Sequence, residues 1–123
     1  MNAWNIPDWL EKEVKGRDVT CVYCGSQMSE RMSFRGARKA VATWEHIIND
    51  ARIVTRENIV RCCVGCNSSK GAKTLSDWLQ SKDCREHRIS EETVAEVVKK
   101  ALHAQRLTNR CSQPLAAPMR SFK

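Results

Sequence analysis

The chain has 123 residues, with 21 Lys and Arg against 14 Asp and Glu, and a formal charge of +7. This length favours one domain with a modest core, and the basic balance favours nucleic acid as a partner, although a merely well-solvated surface is the alternative. No stretch approaches the about 18 apolar residues of a membrane span and the N-terminus lacks a signal-peptide pattern, so a cytoplasmic protein without membrane contact is expected.

The N-terminal part predicts one short helix and one loop. The helix covers residues 6–15, where Pro7 and Asp8 suit the first turn and Gly16 ends the helix. Residues 26–40 are polar and basic without a clear period, which is typical of a loop.

The central part predicts a β-hairpin followed by a helix. β-Branched and aromatic residues are concentrated over 40–48 and 58–62, which indicates two strands and a hairpin from about 41 to 62. A helix is expected to begin at Val64 and to end before Gly71. The predicted fold class is therefore α+β.

The C-terminal part predicts further helices and a flexible tail. Thr74 can cap a short helical turn, and Ser90 can cap a longer helix that runs to about residue 107. The domain is expected to cover residues 1–107, and the basic tail 108–123 to be poorly ordered. The apolar face predicted for the last helix consists of Val94, Val97, Val98, Ala101, Leu102 and Leu107. The predicted core anchors are Trp4, Trp9, Trp44 and Trp78.

Four of the seven cysteines form two CxxC pairs, Cys21-x-x-Cys24 and Cys63-x-x-Cys66. Two such pairs in a chain without an export signal favour a closed, tetrahedral, structural zinc site over disulfides or inert buried thiols. Cys63 is chosen over its neighbour Cys62 because only Cys63 completes a CxxC spacing. The remaining thiols, Cys62, Cys84 and Cys111, are expected to be packing residues or bystanders.

A second pattern surrounds these cysteines: Glu45-His46, then Asn58, then Asn67 followed by Lys70. Over about residues 21–79, the chain resembles the HNH endonucleases, in particular their four-cysteine branch. The resemblance implies a ββα-metal (His-Me finger) unit braced by zinc, with flanking helices. It also implies metal-dependent hydrolysis of DNA phosphodiester bonds by a monomer or homodimer.

The resemblance also assigns roles to individual residues. His46 would be the general base, and its usual pKa near 6.5 leaves it largely neutral at pH 7. Asn58 would hold the hairpin loop in register. Glu45 and Asn67 would bind a catalytic Mg²⁺ or Mn²⁺, and Lys70 would contact phosphate. Because neighbouring strand residues point to opposite faces, Glu45 and His46 share a site only if the strand ends, bends or bulges there.

Basic residues around the hairpin are candidate DNA contacts that would position the duplex without reading its sequence. Those predicted are Arg35, Arg38, Lys39, Arg52 and Arg56, and Arg31 lies in the same basic group. The principal alternative is a non-catalytic zinc-stabilised module that binds nucleic acid. A redox protein that uses the CxxC pairs is less favoured, because no βαβ pattern surrounds them.

Overall fold

The computed structural model describes residues 4–30 and 38–112, with side chains as far as residue 107. Within these ranges, one two-stranded antiparallel sheet is accompanied by helices, which confirms the α+β class. A short 3-10 helix at Arg38–Ala40 precedes the first strand. The other elements are α1 (Asp8–Arg17), β1 (Ala42–His46), β2 (Ile59–Cys63), α2 (Val64–Lys70), α3 (Leu75–Leu79), α4 (Lys82–Glu86) and α5 (Glu96–Ser112).

The hairpin follows the prediction closely. Ala42 lies opposite Cys63 and His46 lies opposite Ile59, with every intervening residue paired in regular register. All five residues of β2 are buried, because other elements cover both faces of this small sheet. α2 begins at the residue after β2, as predicted, and ends where Gly71 adopts a positive φ of 52°.

The two faces of the hairpin pack against different parts of the chain. The α1 face carries Trp44 and Ile59, which pack against Ile6, Leu10 and Val14. The opposite face, here called the knuckle face, carries Val60 and Cys62. It packs against the cysteine-bearing segment Cys21–Cys24 (the knuckle) and against the buried residues of α2, α3 and α5. Because side chains alternate along a regular strand, Glu45 belongs to the knuckle face and His46 to the α1 face.

Two of the predicted boundaries in the C-terminal part are wrong. Regular helix α5 begins at Glu96 rather than just after Ser90, because the Thr93 hydroxyl accepts from the Ser90 amide at 2.9 Å and donates to the Ser90 carbonyl at 3.1 Å. Such local side-chain bonds hold the segment in a turn instead of a helix. The helical backbone also continues to Ser112, five residues into the predicted tail. Residues 113–123 lie outside the described residues.

Capping residues explain the two short helices. The Thr74 hydroxyl accepts from the Asp77 amide at 3.2 Å, which confirms the predicted cap of α3. α4 was not predicted, and the Ser81 hydroxyl caps it by accepting from the Cys84 amide at 3.2 Å. The first residues of α4 are polar, so the sequence has no apolar periodicity that would predict this helix.

Of the four tryptophans predicted as core anchors, two are buried and two are exposed. Trp44 and Trp78 are buried, as predicted. Trp4 and Trp9 are not core anchors, since they are 46% and 59% exposed. The Arg56 guanidinium lies 5.7 Å from the centre of the Trp9 ring, so this indole is partly covered by a cation instead of by the core. Leu107, assigned to the apolar face of the last helix, is likewise 45% exposed.

Among the described residues, no helix has both the length and the apolar character needed to cross a membrane.

Candidate functional site

The four cysteines of the two CxxC pairs meet at one point. The sulfur atoms of Cys21, Cys24, Cys63 and Cys66 all lie within 4.8 Å of one another. The Cys24 and Cys63 sulfurs are 3.8 Å apart. A Zn–S distance of about 2.3 Å gives a regular tetrahedron an edge of roughly 3.8 Å, so this separation suits a tetrahedral ion. The cluster can hold a metal ion, and it includes Cys63 rather than Cys62, as predicted.

The backbone explains why these four thiols converge. Cys21 and Cys24 lie on a tight turn, in which the Cys24 amide points at the Cys21 sulfur at 3.5 Å and Gly25 adopts a φ of 77°. Cys63 is the last residue of β2, and Cys66 lies in the first turn of α2. An ion at this point therefore ties the knuckle to the junction between hairpin and helix.

The protonation of the cluster favours a cation. Hydrogen bonds from Cys21 and Cys66 lower the pKa of the Cys63 thiol to about 3, whereas the same contacts and burial raise the pKa of Cys66. These contacts thus favour one thiolate, at Cys63, which a divalent ion would stabilise. Outside the cluster, burial raises the pKa of Cys62, so this thiol stays neutral and packs in the core, as predicted.

Glu45 lies in a buried polar network on the knuckle face. Its side chain is 6% exposed, and its Oε2 accepts from the Tyr23 hydroxyl at 2.5 Å. The same oxygen lies 3.5 Å from Nζ of Lys70. Burial raises the pKa of Glu45, and the Lys70 charge and the Tyr23 hydroxyl oppose that rise. Glu45 therefore has two protein partners, Tyr23 and Lys70, in this structure.

Lys70 does not contact solvent. It is 0% exposed, and its ammonium donates to the Ile47 carbonyl at 3.0 Å. A fully enclosed ammonium cannot touch a DNA phosphate, so the predicted phosphate contact is wrong. The spacing correctly placed Lys70 one helical turn after Asn67, but whether that turn faces solvent or the sheet depends on how α2 packs.

His46 is the last residue of β1 and is half-buried. Burial lowers the pKa of its imidazole from 6.5, with Asp50 opposing the shift. The ring is therefore mostly neutral at pH 7, as a general base must be. Its Nε2 atom is buried and has no hydrogen-bond partner within the described residues.

Asn58 lies at the other end of the hairpin loop and bridges it. Its side-chain oxygen accepts from the Ile48 amide at 2.7 Å, and its amide nitrogen donates to the carbonyls of Ile48 at 3.2 Å and Ile53 at 3.1 Å. Asn58 is 4% exposed, so these bonds are shielded from water. They fasten the loop immediately after His46, which is the function that the sequence predicted for this asparagine.

Asn67 is half-buried on α2, one turn before Lys70. β1 keeps its regular register through His46 and ends there, and a strand end is one of the conditions under which Glu45 and His46 could share a site. Among the described residues, the four cysteines are the one group of three or more His, Cys, Asp or Glu positioned to hold an ion. The predicted pair of Glu45 and Asn67 as ligands of a catalytic ion stays a prediction.

The basic residues predicted to contact DNA differ in their exposure and in whether they already form ion pairs. Arg38 and Lys39 are exposed at the 3-10 helix. Arg52 and Arg56 are exposed too, but Arg52 pairs with Asp50 at 2.9 Å and Arg56 pairs with Glu13 at 2.6 Å. Surface pairs of this kind are weak, so a phosphate could compete for both cations. Arg31 and Arg35 lie outside the described residues.

Tyr23 is the one residue of this buried network that the sequence did not single out. It lies between the two cysteines of the knuckle and is 0% exposed. A signal was available, because strand alternation places Glu45 on the face opposite His46, where its carboxylate needs a buried donor. The choice of Tyr23 as that donor depends on the tertiary fold.

Comparison with family models, curated proteins and solved structures gives no significant match to this chain.

Proposed function

We propose that this protein is an endonuclease of the HNH type that hydrolyses DNA phosphodiester bonds with His46 as general base. The observation that carries the proposal is the loop after His46. A half-buried neutral imidazole ends β1, and the buried Asn58 fastens the following loop through three side-chain hydrogen bonds, two to Ile48 and one to Ile53. The proposed unit is the zinc-braced ββα-metal fold.

His46 would take a proton from water through Nδ1. Its Nε2 atom is enclosed, so a water molecule could approach the ring only on the other side. Proton removal by a base of suitable pKa contributes about 10²–10⁴-fold to a hydrolysis rate. The opposing influence of Asp50 keeps the pKa of His46 from falling further, which preserves its basicity.

In the proposed reaction an added divalent ion is required, and Glu45 is not one of its ligands. The half-buried amide of Asn67 is the proposed protein ligand, and such an ion would supply positive charge to the phosphate and the leaving oxygen. The four-cysteine cluster would hold zinc in a closed structural site, since four thiolates leave no open position for chemistry. Exposed Arg38 and Lys39 would contact the DNA backbone.

The test is nicking of a supercoiled plasmid by the full chain with Mg²⁺ or Mn²⁺, and with EDTA. His46→Ala is compared with His103→Ala, a matched histidine exposed on α5. We expect the wild type and His103→Ala to cut only with added metal, and His46→Ala to lose at least about 10²-fold in rate. Zinc content and thermal unfolding are measured on all three proteins.

If folded, zinc-loaded His46→Ala cuts at the wild-type rate, His46 is not the general base. If the wild type is inactive, the protein is not a nuclease. The second candidate, a zinc-stabilised nucleic-acid-binding module, is favoured by the commitment of Glu45 to Tyr23 and Lys70. It predicts salt-dependent DNA binding without cleavage at any concentration of Mg²⁺ or Mn²⁺.

A further inference from the structure

We propose that Tyr23 and Lys70 are positioning residues that aim His46 by holding the chain on both sides of it. This inference rests on the proposed function for its catalytic consequence, but the clamp itself can be observed without activity. The two residues come from different elements, the knuckle and α2, and both act on the face of β1 opposite the His46 ring.

Tyr23 holds the residue before His46. Its hydroxyl donates to the Glu45 carboxylate at 2.5 Å, and its ring packs edge-to-face on Trp78 at 4.9 Å with an interplanar angle of 75°. Tyr23 is fully buried between two cysteines of the cluster. Because Tyr23 lies in a short segment with a cluster cysteine at each end, its hydroxyl has little conformational freedom. The knuckle therefore sets the position of Glu45.

Lys70 holds the residue after His46. Its ammonium donates to the Ile47 carbonyl at 3.0 Å while lying 3.5 Å from the Glu45 carboxylate. One buried cation thereby links the residues on both sides of His46. Neither Lys70 nor Glu45 has much access to water, so the contact is not weakened by solvent.

The clamp continues the support that Asn58 gives to the loop. The Ile47 amide donates to the Asn58 carbonyl at 2.9 Å, and the Ile48 amide donates to the Asn58 side chain at 2.7 Å. The chain from Glu45 to Ile48 is thus held at each residue, since His46 itself pairs with Ile59 through the strand register, while the His46 ring nitrogen Nε2 has no hydrogen-bond partner among the described residues. A misplacement of about 1 Å at a reacting group can cost 10²-fold in rate, so this support bears directly on catalysis.

The experiment compares Tyr23→Phe with the wild type and with Ser81→Ala. Tyr23→Phe removes one hydroxyl and keeps the ring against Trp78. Ser81→Ala removes the hydrogen bond that caps α4, with no contact to β1. We expect zinc content to be unchanged in all three, and kcat for nicking to fall about tenfold to 10²-fold in Tyr23→Phe alone, with KM for DNA unaltered. Cutting by Tyr23→Phe at the wild-type rate would overturn the clamp.

The second readout is the ring signals of the three histidines in an NMR spectrum of the zinc-loaded protein. Tyr23→Phe should shift or broaden the His46 signals and leave those of His87 and His103 unchanged. If the wild type does not cut DNA but the His46 signals respond, the proposed function fails and the clamp stands. If the wild type does not cut and the His46 signals stay unchanged, both fail.

Glu45→Gln is the second variant, and it keeps the test valid if Tyr23→Phe loses zinc. A side-chain amide oxygen still accepts from Tyr23, but the charge that pairs with Lys70 is lost. The clamp predicts a lower kcat at saturating Mn²⁺ with no change in the Mn²⁺ concentration needed. A raised Mn²⁺ requirement with full kcat would overturn it, because that result identifies Glu45 as an ion ligand.

Discussion

The two faces of the hairpin are stabilised by different kinds of interaction. On the α1 face, Leu10 and Val14 pack against Trp44 and Ile59, and Arg17 and Asp18 at the end of α1 add hydrogen bonds to the backbone of β2. On the knuckle face, a carboxylate, a phenol and an ammonium meet beneath a cluster of four thiols. The apolar core of the first face contributes roughly in proportion to the area it buries, whereas the second face depends more on the geometry of a few buried polar atoms.

This difference separates stability from positioning. Apolar packing tolerates small shifts, because no single contact is directional. Hydrogen bonds and metal–thiolate bonds are directional, so the knuckle face can fix the backbone of β1 to within a fraction of an ångström. His46 projects from the α1 face, and the proposed clamp positions it from the knuckle face.

The largest expected effect comes from breaking the cysteine cluster on the knuckle face. In small zinc domains, metal binding supplies about 10 kcal/mol or more, which is comparable to the whole stability of a domain. We expect Cys63→Ala to be unfolded at 25 °C and Cys62→Ala, a buried non-ligand at the adjacent position, to lose about 1 kcal/mol. Circular dichroism with and without a chelator measures both.

Zinc added back after chelation should restore the spectrum of Cys62→Ala but not that of Cys63→Ala. If the two variants unfold alike, the cluster contributes no more than ordinary packing, and the contrast between the two faces disappears.

An intermediate loss of folding stability is expected when Lys70, the cation beside Glu45, is replaced. Lys70→Met keeps most of the side-chain volume but removes the charge, and an unpaired buried carboxylate costs about 3–5 kcal/mol. The double variant Lys70→Met with Glu45→Gln should recover most of that loss, because no buried charge remains. Urea unfolding of the two single variants and the double variant gives the coupling free energy.

Additive losses in that cycle would show that Lys70 and Glu45 act independently, and the knuckle face would then resemble the α1 face in its energetics.

The smallest difference in stability is expected within α1, between variants on its buried side and on its exposed side. Leu10 is fully buried, so Leu10→Ala should lose about 2–5 kcal/mol through the cavity it creates. Trp9 is 59% exposed beneath Arg56, so Trp9→Ala should lose at most about 1 kcal/mol. Thermal unfolding of both variants tests whether the buried side of α1 contributes more stability than its exposed side, and a larger loss at Trp9 would contradict that view.

Local sequence signals predicted the parts of the site that depend on neighbouring residues. The CxxC spacing selected Cys63 over Cys62, and the β-branched runs located both strands of the hairpin. The same signals were wrong where long-range packing decides. Trp9 is as apolar as Trp44, but it lies on the side of α1 that faces away from the hairpin.

The sequence alone therefore determined the order of strand, strand and helix and the four thiols that can hold a metal ion. Spacing along the chain defines these features, because turns and strands are local, whereas the loop-holding role of Asn58 came from the resemblance to the HNH endonucleases. Only the tertiary structure decided that Lys70 turns inward, that Glu45 pairs with Tyr23 and Lys70, and that His46 lies on the opposite face. These outcomes depend on how α2 and the knuckle close over one face of the hairpin, and burial there forces each polar group to find a partner within the protein.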